Sequence, residues 1–237
     1  MKMLTTALLT LALLATASPA YAHFPWVTID DDGKVQYFFG ENPADCTYKL
    51  PGSIAKSEVA IVTPKGTSEK LDLVAVETDD FVGRSSSESI AKDSLLQSKA
   101  TFGIYHGSRL DYYTVHYGGK LPTSREDAQK KSANLDLKAE LVDTAEGVDA
   151  YVTWKGKPLT DADVLLYCEE GHEEASKKTD ENGKVSFTDK EVEDGLNGIM
   201  VGLTAAYESG ELDDKKYESA SHYLTVTFHD PQDFEKK

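Results

Sequence analysis

The sequence contains little cysteine, comparatively few basic residues and none of the common enzyme motifs. Its 237 residues include two cysteines, and 25 basic side chains stand against 41 acidic ones, for a formal net charge of -16 at pH 7. Nucleic-acid binders usually present a basic patch, so we expect no nucleic-acid partner. G-x-S-x-G, P-loop and dinucleotide-binding glycine patterns are absent, and the stretch 171–176 lacks the second histidine of H-E-x-x-H. We therefore predict a protein that is not an enzyme.

Long apolar runs are also missing, apart from one at the N-terminus. Lys2 precedes an uncharged stretch over residues 4–17, and Ala20-Tyr21-Ala22 has the small-x-small pattern of a signal-peptidase site. The run is shorter than the roughly 20 residues that a membrane-spanning helix needs. We predict that residues 1–22 are a cleaved signal peptide, that His23 begins the mature chain, and that the protein is periplasmic or secreted.

The two cysteines, Cys46 and Cys168, exclude a zinc site built from cysteine alone, because structural sites of that kind need about four ligands. In an oxidising compartment they could pair and join the two halves of the chain. Two buried free thiols fit the sequence equally well.

The mature chain consists of short alternating runs broken by Gly, Pro, Asn and Asp, a pattern typical of antiparallel β structure. The predicted strands are residues 35–39, 59–62, 71–76, 100–106, 112–117, 135–142, 148–154, 163–168, 184–188, 199–207 and 221–228. Helical patterns are confined to 87–98 and 123–132, which fit loops as well. The sequence predicts an all-β protein.

A polar stretch over residues 121–134 marks the clearest boundary. It holds a proline, several charges and no large apolar run beyond Leu121. The parts on either side each have about the strand number of a small β-sandwich, in which alternating residues face a shared core. We predict two antiparallel, Ig-like or transthyretin-like sandwich domains, over residues 23–134 and 135–237.

Two acidic segments, 30–35 and 179–185, each combine an acidic turn, a glycine and a following strand. Asp-Gly and Asn-Gly suit tight turns because those positions need a positive φ. Calcium loops are the alternative, but neither segment has the ligand spacing and downstream Glu of an EF-hand loop. We predict that both are turns.

The histidines are the best candidates for chemistry, and His23 is the most distinctive of the six. As a first residue it offers an α-amine and an imidazole, which can close a chelate ring on Ni(II), Cu(II) or Zn(II). Pro25 has no backbone N–H, so the metal cannot use deprotonated amides beyond Phe24. Any site on His23 must be completed from elsewhere in the fold. A frayed end that happens to begin with histidine is the alternative.

Strand phase ranks the other histidines. His222 shares a face with three apolar residues of the last strand, so it is predicted to point inward and to complete the site, although such a histidine is usually a hydrogen-bonded core residue. His106 is in phase with apolar neighbours and is also expected to point inward. His116 gives no clear phase and is kept as a further candidate ligand with His106. His172 and His229 are expected to be solvated.

Several stretches together form a recognisable pattern. They are His23-Phe24-Pro25-Trp26, residues 101–105 with Asp111-Tyr112-Tyr113, Leu135-Asp136-Leu137, the G-K-P-L-x-x-A-x-V-like stretch within 154–164, the T-D-x-x-G-x-x-x-F-like stretch 179–187, and Ser221-His222-Tyr223-Leu224-Thr225. The pattern resembles a family of exported proteins that includes the periplasmic NikK-like component of nickel/cobalt uptake systems. Two of the stretches, 154–164 and 179–187, are also similar to carboxypeptidase-regulatory-like sandwich modules.

The resemblance implies binding of Ni(II) or Co(II), with Cu(II) and Zn(II) as further candidates, for metal uptake or homeostasis. It also implies His23 and His222 as ligands and a membrane metal transporter as partner. The chain departs from the family at His116, where the family often has Ala-Lys after the two tyrosines. Two other functions fit the residues: an interaction or glycan-binding module without metal, and a copper oxidase of the histidine-brace kind.

Overall fold

The computed structural model describes residues 23–63, 67–205 and 207–230, and the predicted signal peptide lies outside them. Over these ranges the protein is all-β, as predicted. The strands in chain order are β1 (Phe24–Ile29), β2 (Val35–Gly40), β3 (Glu58–Val62), β4 (Ser68–Lys70), β5 (Leu73–Glu77), β6 (Val82–Ser86), β7 (Leu95–Tyr105), β8 (Ser108–Tyr117), β9 (Leu137–Thr144), β10 (Gly147–Trp154), β11 (Lys157–Pro158), β12 (Asp163–Tyr167), β13 (Glu173–Lys178), β14 (Lys184–Thr188), β15 (Leu196–Ala205), β16 (Gly210–Leu212), β17 (Lys215–Tyr217) and β18 (Ser219–His229).

The two helices found in the described ranges are short, α1 (Gly52–Ala55) and α2 (Arg125–Lys130). α2 falls in the predicted segment 123–132 and begins where the Ser124 hydroxyl accepts the backbone N–H of Asp127, a standard N-cap contact. The segment 87–98 contains no helix; its last residues begin β7. Among the described residues, none lies in a helix with the length and apolar character to cross a membrane.

The sheets stack in three layers around a central sheet of eight strands, in the order β13-β12-β15-β18-β8-β7-β3-β4. A four-stranded sheet, β1-β2-β6-β5, covers one face, and the sheet of β9, β10, β11 and β14 covers the other. β16 and β17 form a separate small hairpin. Because β8 and β18 have a neighbouring sheet on both sides, most of their residues are buried, including several polar ones.

Two hydrophobic cores fill the spaces between the layers. The N-terminal core, against β1-β2-β6-β5, buries Trp26, Tyr37 and Phe38. The C-terminal core, against β9-β10-β14, buries Phe187 and Phe228 among others. Each fully buried side chain of this size contributes on the order of 1.5–3 kcal/mol to folding. Aliphatic residues are the majority in both cores, but aromatic residues form a larger share of the first core than of the second.

The two halves of the chain meet in the middle of the central sheet. β8 pairs with β18 in parallel over ten residue pairs, from Ser108 with Ser219 to Tyr117 with Phe228. This pairing joins strands from both sides of the predicted boundary at 121–134, so the two parts of the chain contribute strands to one sheet. The segment 121–134 itself carries α2.

The two acidic segments are turns, as predicted. The carboxylate of Asp30 accepts the backbone N–H groups two and four residues further on, and Asp180 does the same in its own segment. Gly33 and Gly183 take the positive φ that each turn requires, 78° and 72°. The first turn joins the paired strands β1 and β2, whereas the second carries the chain from the central sheet to β14.

Candidate metal centre

His23 lies just before β1, an edge strand of the four-stranded sheet. Its ring packs edge-on against Tyr48, with centroids 3.9 Å apart, and stacks on Phe39 at 5.8 Å. An edge strand tolerates Pro25 because a missing N–H on the open side breaks no ladder. The Pro25 carbonyl accepts the Thr225 hydroxyl at 2.6 Å, which ties the start of β1 to the central sheet. The position of His23 is therefore set by packing on both sides.

One ring nitrogen of His23 lacks a hydrogen-bond partner among the described residues. Nε2 is shielded from solvent and has no hydrogen-bond partner among the described residues. Glu41 Oε1 lies 3.8 Å away, which is beyond hydrogen-bond range. The side chain as a whole is 24% exposed, so solvent reaches another part of the ring. A shielded and unpaired polar atom of this kind costs about 1–3 kcal/mol.

The surroundings of His23 are acidic. Burial raises the pKa of Tyr167 to about 12, and the nearby Glu173 and Glu41 carboxylates add to the rise. Tyr167 packs edge-on against Trp26 of β1, with ring centroids 6.2 Å apart. The start of β13 thus brings a second acidic group, Glu173, towards the region of Glu41, which favours a cation there.

His222 is buried on the face of β18 that meets the C-terminal core. Its ring lies against Trp154, with centroids 4.3 Å apart. Nε2 lies 3.2 Å from Oε2 of Glu208, and Nδ1 lies 3.4 Å from the Tyr113 hydroxyl and 3.5 Å from Oδ2 of Asp111. A carboxylate only accepts, so Nε2 donates to Glu208 and Nδ1 accepts from Tyr113. Both ring nitrogens are therefore engaged.

Cations balance the acids around His222. Arg109 Nη2 lies 2.8 Å from Asp111 and 3.3 Å from Glu208, and Lys155 Nζ lies 2.8 Å from Glu208. Burial lowers the pKa of His222, and the two carboxylates oppose that change without cancelling it. The net result is a neutral histidine in a satisfied polar network, which has the character of a core residue.

His116 is buried on the other face of the central sheet. Its Nδ1 lies 2.9 Å from Oγ1 of Thr227, and that hydroxyl donates to the Val27 carbonyl. The hydroxyl proton is thus committed, so Nδ1 of His116 carries the hydrogen and donates to Thr227. Burial lowers the pKa of His116 to about 3, with smaller contributions from His229 and Lys131. The ring is neutral and fixed in one tautomer.

His106 is exposed, and the prediction that it points inward is wrong. It occupies the turn between β7 and β8 together with Gly107, with φ values of 47° and 80°. Its ring packs edge-on against Tyr105. A register shift between Thr101 and Gly103 interrupts the alternation from which the inward orientation was predicted.

The structure does not bring the four predicted ligands together. Phe24, next to His23, packs against Tyr223, while His222 points to the opposite face because successive strand residues alternate. The central sheet therefore separates His23 from His222. His116 lies on the face of the central sheet that β1 covers, but it is linked to β1 at Val27, through Thr227, and not at the start of the strand beside His23. His106 lies at the tip of the β7–β8 hairpin. His222, His106 and His116 thus do not complete a site on His23, and this corrects the sequence-based ligand set.

The two cysteines are both free thiols. Cys46 is partly exposed, and its Sγ lies 3.3 Å from the carbonyl oxygen of Asp80. Cys168 is buried at the end of β12. The alternative of two unpaired thiols is the one that the structure contains.

A group of metal-ligating side chains that the sequence analysis missed lies at the β12–β13 hairpin. One donor atom each from Cys168, His172 and Glu174 lie within 4.8 Å of one another. We call this group the thiol cluster. His172 is exposed, as predicted, but its partner Cys168 was considered only for a disulfide or an all-cysteine site. The spacing Cys-x3-His-x-Glu across a tight hairpin was the signal that could have identified it.

Comparison with known proteins provides no relative for this chain: no family model matches it, and no curated protein gives a significant match. The chemistry of these sites must be inferred from their own geometry.

Proposed function

We propose that the protein, once processed after Ala22, is a periplasmic or secreted carrier of a divalent transition metal, Ni(II) or Co(II) first and Cu(II) or Zn(II) next. His23 is the anchoring ligand, and delivery to a membrane metal transporter for uptake or homeostasis is its role. The observation that carries the proposal is the held imidazole of His23, with Nε2 turned towards the Glu41 carboxylate and paired with nothing among the described residues.

The orientation of the ring suits a chelate at the N-terminus. A carboxylate that faces one nitrogen of a ligating histidine fixes its tautomer and leaves the other nitrogen for the metal. With Glu41 on the Nε2 side, Nδ1 is the nitrogen that can act with the α-amine of a processed His23. Phe39 and Tyr48 hold the ring, so little side-chain freedom is lost when a metal binds. We expect the gap of 3.8 Å between His23 and Glu41 to close to a hydrogen bond on binding.

Charge also supports cation binding at this end of the molecule. The whole sequence carries a formal charge of -16, and Glu41 and Glu173 both lie near enough to Tyr167 to raise its pKa. Acidic surroundings raise the local concentration of cations and speed their association. The effect is general for cations, so selectivity for a transition metal has to come from the nitrogen donors of His23.

The test is calorimetry with Ni(II) on protein whose intact mass confirms that it begins at His23. An otherwise identical chain extended by Ala-Pro-Ala-Pro before His23 moves the α-amine away from the ring, and its prolines supply no amide N–H for a replacement chelate. It should lose binding affinity by roughly 100-fold or more, with an unchanged melting temperature without metal. His106→Asn, at an exposed turn position that suits asparagine, is the matched histidine control.

Equal Ni(II) affinity in the extended and the processed protein would contradict the His23 site. Absence of Ni(II), Co(II), Cu(II) and Zn(II) binding in both would favour the interaction or glycan-binding module instead. Glu41→Ala should weaken binding by roughly 10-fold, which is the lower end of the effect of removing a partner that orients a ligand.

A further inference from the structure

We propose that Cys168, His172 and Glu174, the thiol cluster, form a second metal site, and that its ion is Zn(II). The site is separate from His23 and does not depend on the function proposed above. It would hold its ion through one thiolate, one imidazole and one carboxylate, with a fourth position open to water.

The hairpin backbone places the first two donors side by side. β12 ends at Tyr167 and β13 begins at Glu173, so Cys168 and His172 flank a loop of three residues, 169–171. The backbone N–H of Cys168 donates to the carbonyl of His172 at 3.1 Å, and the N–H of Gly171 donates to the carbonyl of Cys168 at 3.0 Å. Residues opposite each other at such a position carry side chains a few ångströms apart on one face.

The third donor comes from an irregularity in the same hairpin. Leu166 pairs with Ala175 and Tyr167 pairs with Glu173, so Glu174 is the extra residue of a β-bulge. Bulges redirect side chains and are common beside functional sites. Here the bulge leaves the Glu174 carboxylate within 4.8 Å of the donor atoms of Cys168 and His172.

The distances are close to what a tetrahedral zinc site needs. Zinc bonds of about 2.0–2.3 Å place neighbouring ligand atoms roughly 3.3–3.8 Å apart. Since the donor atoms lie within 4.8 Å of one another, the thiol cluster has to contract by at most about 1–1.5 Å. His172 and Glu174 can supply that movement by side-chain rotation, because His172 is exposed and Glu174 is only partly buried, while buried Cys168 stays in place.

The cluster has the charge and chemistry for a borderline metal. Without an ion, burial raises the pKa of Cys168, and its hydrogen bond to Glu174 adds to the rise, so the thiol is protonated. When Zn(II) binds, the S–H bond breaks, the sulfur electron pair forms the Zn–S bond, and one proton leaves to solvent. A thiolate ligand favours Zn(II) over Mg(II) or Ca(II), which prefer oxygen.

The two proposed sites share no ligand, although the hairpin that carries the thiol cluster approaches the segment that carries Glu41. A Cβ added to Gly171, in the loop between Cys168 and His172, would meet the side chain of Asn42 at 2.5–2.8 Å. Because no donor atom is shared, each site should bind its ion without the ligands of the other.

The test uses Co(II) as a spectroscopic substitute in the full processed protein. Parent protein should show a thiolate-to-Co(II) charge-transfer band and the visible bands of tetrahedral Co(II), and Zn(II) should displace them. Cys168→Ser should abolish the charge-transfer band, while His172→Ala and Glu174→Gln should weaken Zn(II) binding by roughly 10–100-fold or more. Cys46→Ser and Glu181→Gln are the matched controls, a second thiol and an exposed carboxylate outside both sites, and should behave as the parent.

The following outcomes would contradict the proposed Zn(II) site at the thiol cluster. No charge-transfer band in the parent, or a band that survives Cys168→Ser and disappears in Cys46→Ser, would overturn it. Should Cys168→Ser fail to fold, His172→Ala still decides, because His172 is exposed and its loss should not unfold the protein. The chain extended by Ala-Pro-Ala-Pro before His23 should keep the band in full; loss of the band there would mean a single shared site and would refute a separate one.

Discussion

Two buried histidines, His116 on β8 and His222 on β18, face opposite sides of the central sheet and have very different neighbours. His116 has one hydroxyl partner, Thr227, and its pKa falls to about 3. His222 has Glu208 and Asp111 beside it, and these acids offset part of the lowering that burial causes. Burial therefore lowers the pKa of a histidine and keeps the ring neutral, and acidic neighbours reduce the size of that lowering. Both ring nitrogens of His222 and Nδ1 of His116 are engaged in polar contacts. By contrast, Nε2 of His23 has no hydrogen-bond partner among the described residues.

The largest expected effect is a loss of stability in mild acid. Unfolded His116 binds a proton near the ordinary pKa of 6.5, whereas the folded residue does so only near 3. Between these values the unfolded state holds more protons, so the free energy of unfolding falls as the pH falls through this window. One such group contributes about 1.4 kcal/mol per pH unit. Urea unfolding at about pH 7, 6 and 5 measures the slope.

A variant isolates the share of His116 in that slope. His116→Gln keeps an N–H donor for Thr227 but cannot titrate, so its stability should change less steeply between about pH 6.5 and 5. The pKa of His222 shifts in the same direction and adds to the slope. An identical slope in the variant and the parent would mean that the two faces of the sheet do not differ as described.

A smaller effect is expected on the other face of the sheet. His222→Ala removes a ring that packs on Trp154 and leaves the Tyr113 hydroxyl and Glu208 short of a partner. We expect a loss of about 1–3 kcal/mol in the free energy of unfolding at neutral pH. Ni(II) affinity at His23 should not change, because the central sheet lies between the two. Weaker Ni(II) binding with unchanged stability would instead restore His222 as a ligand.

The smallest expected effect on stability is at Lys155, the exposed member of the polar network around His222. Lys155 pairs with Glu208, but its side chain is 53% exposed. Ion pairs of this kind contribute about 0–1 kcal/mol, so Lys155→Gln should lower stability by less than 1 kcal/mol. The difference should vanish in about 1 M salt, which screens exposed charges. A larger loss that resists salt would show that Lys155 supports the buried network from within.

Alternating patterns predicted most of the strands, because a residue that faces a core repeats every second position. They missed β1, whose Pro25 argues against a strand unless the strand lies at a sheet edge, as β1 does. They missed β13 as well, since its residues are mostly polar or charged and half-exposed. The inward face of His222 was predicted correctly from the same alternation.

The candidate site was harder to predict, because it depends on pairings between distant parts of the chain. That His23 and His222 face opposite sides follows from the packing of Phe24 against Tyr223, a contact between distant parts of the chain that no local pattern reveals. The exposure of His106 follows from a register shift that breaks the alternation, and no residue type in this stretch signals such a shift. The thiol cluster needs a bulge that aligns Glu174 with Cys168, and this too is a property of pairing.

The parallel contact of β8 with β18 also has consequences for how the chain reaches its native state. Residues 108–117 find their central neighbour only when residues 219–228 become available, more than a hundred positions later. Contacts so distant in sequence slow folding, and until they form β8 presents an open edge that can pair with other chains. A chain truncated before β18 should therefore aggregate rather than yield a folded N-terminal half. Under the export proposed above, late completion of the middle of the sheet would keep the chain extended until its last strand arrives.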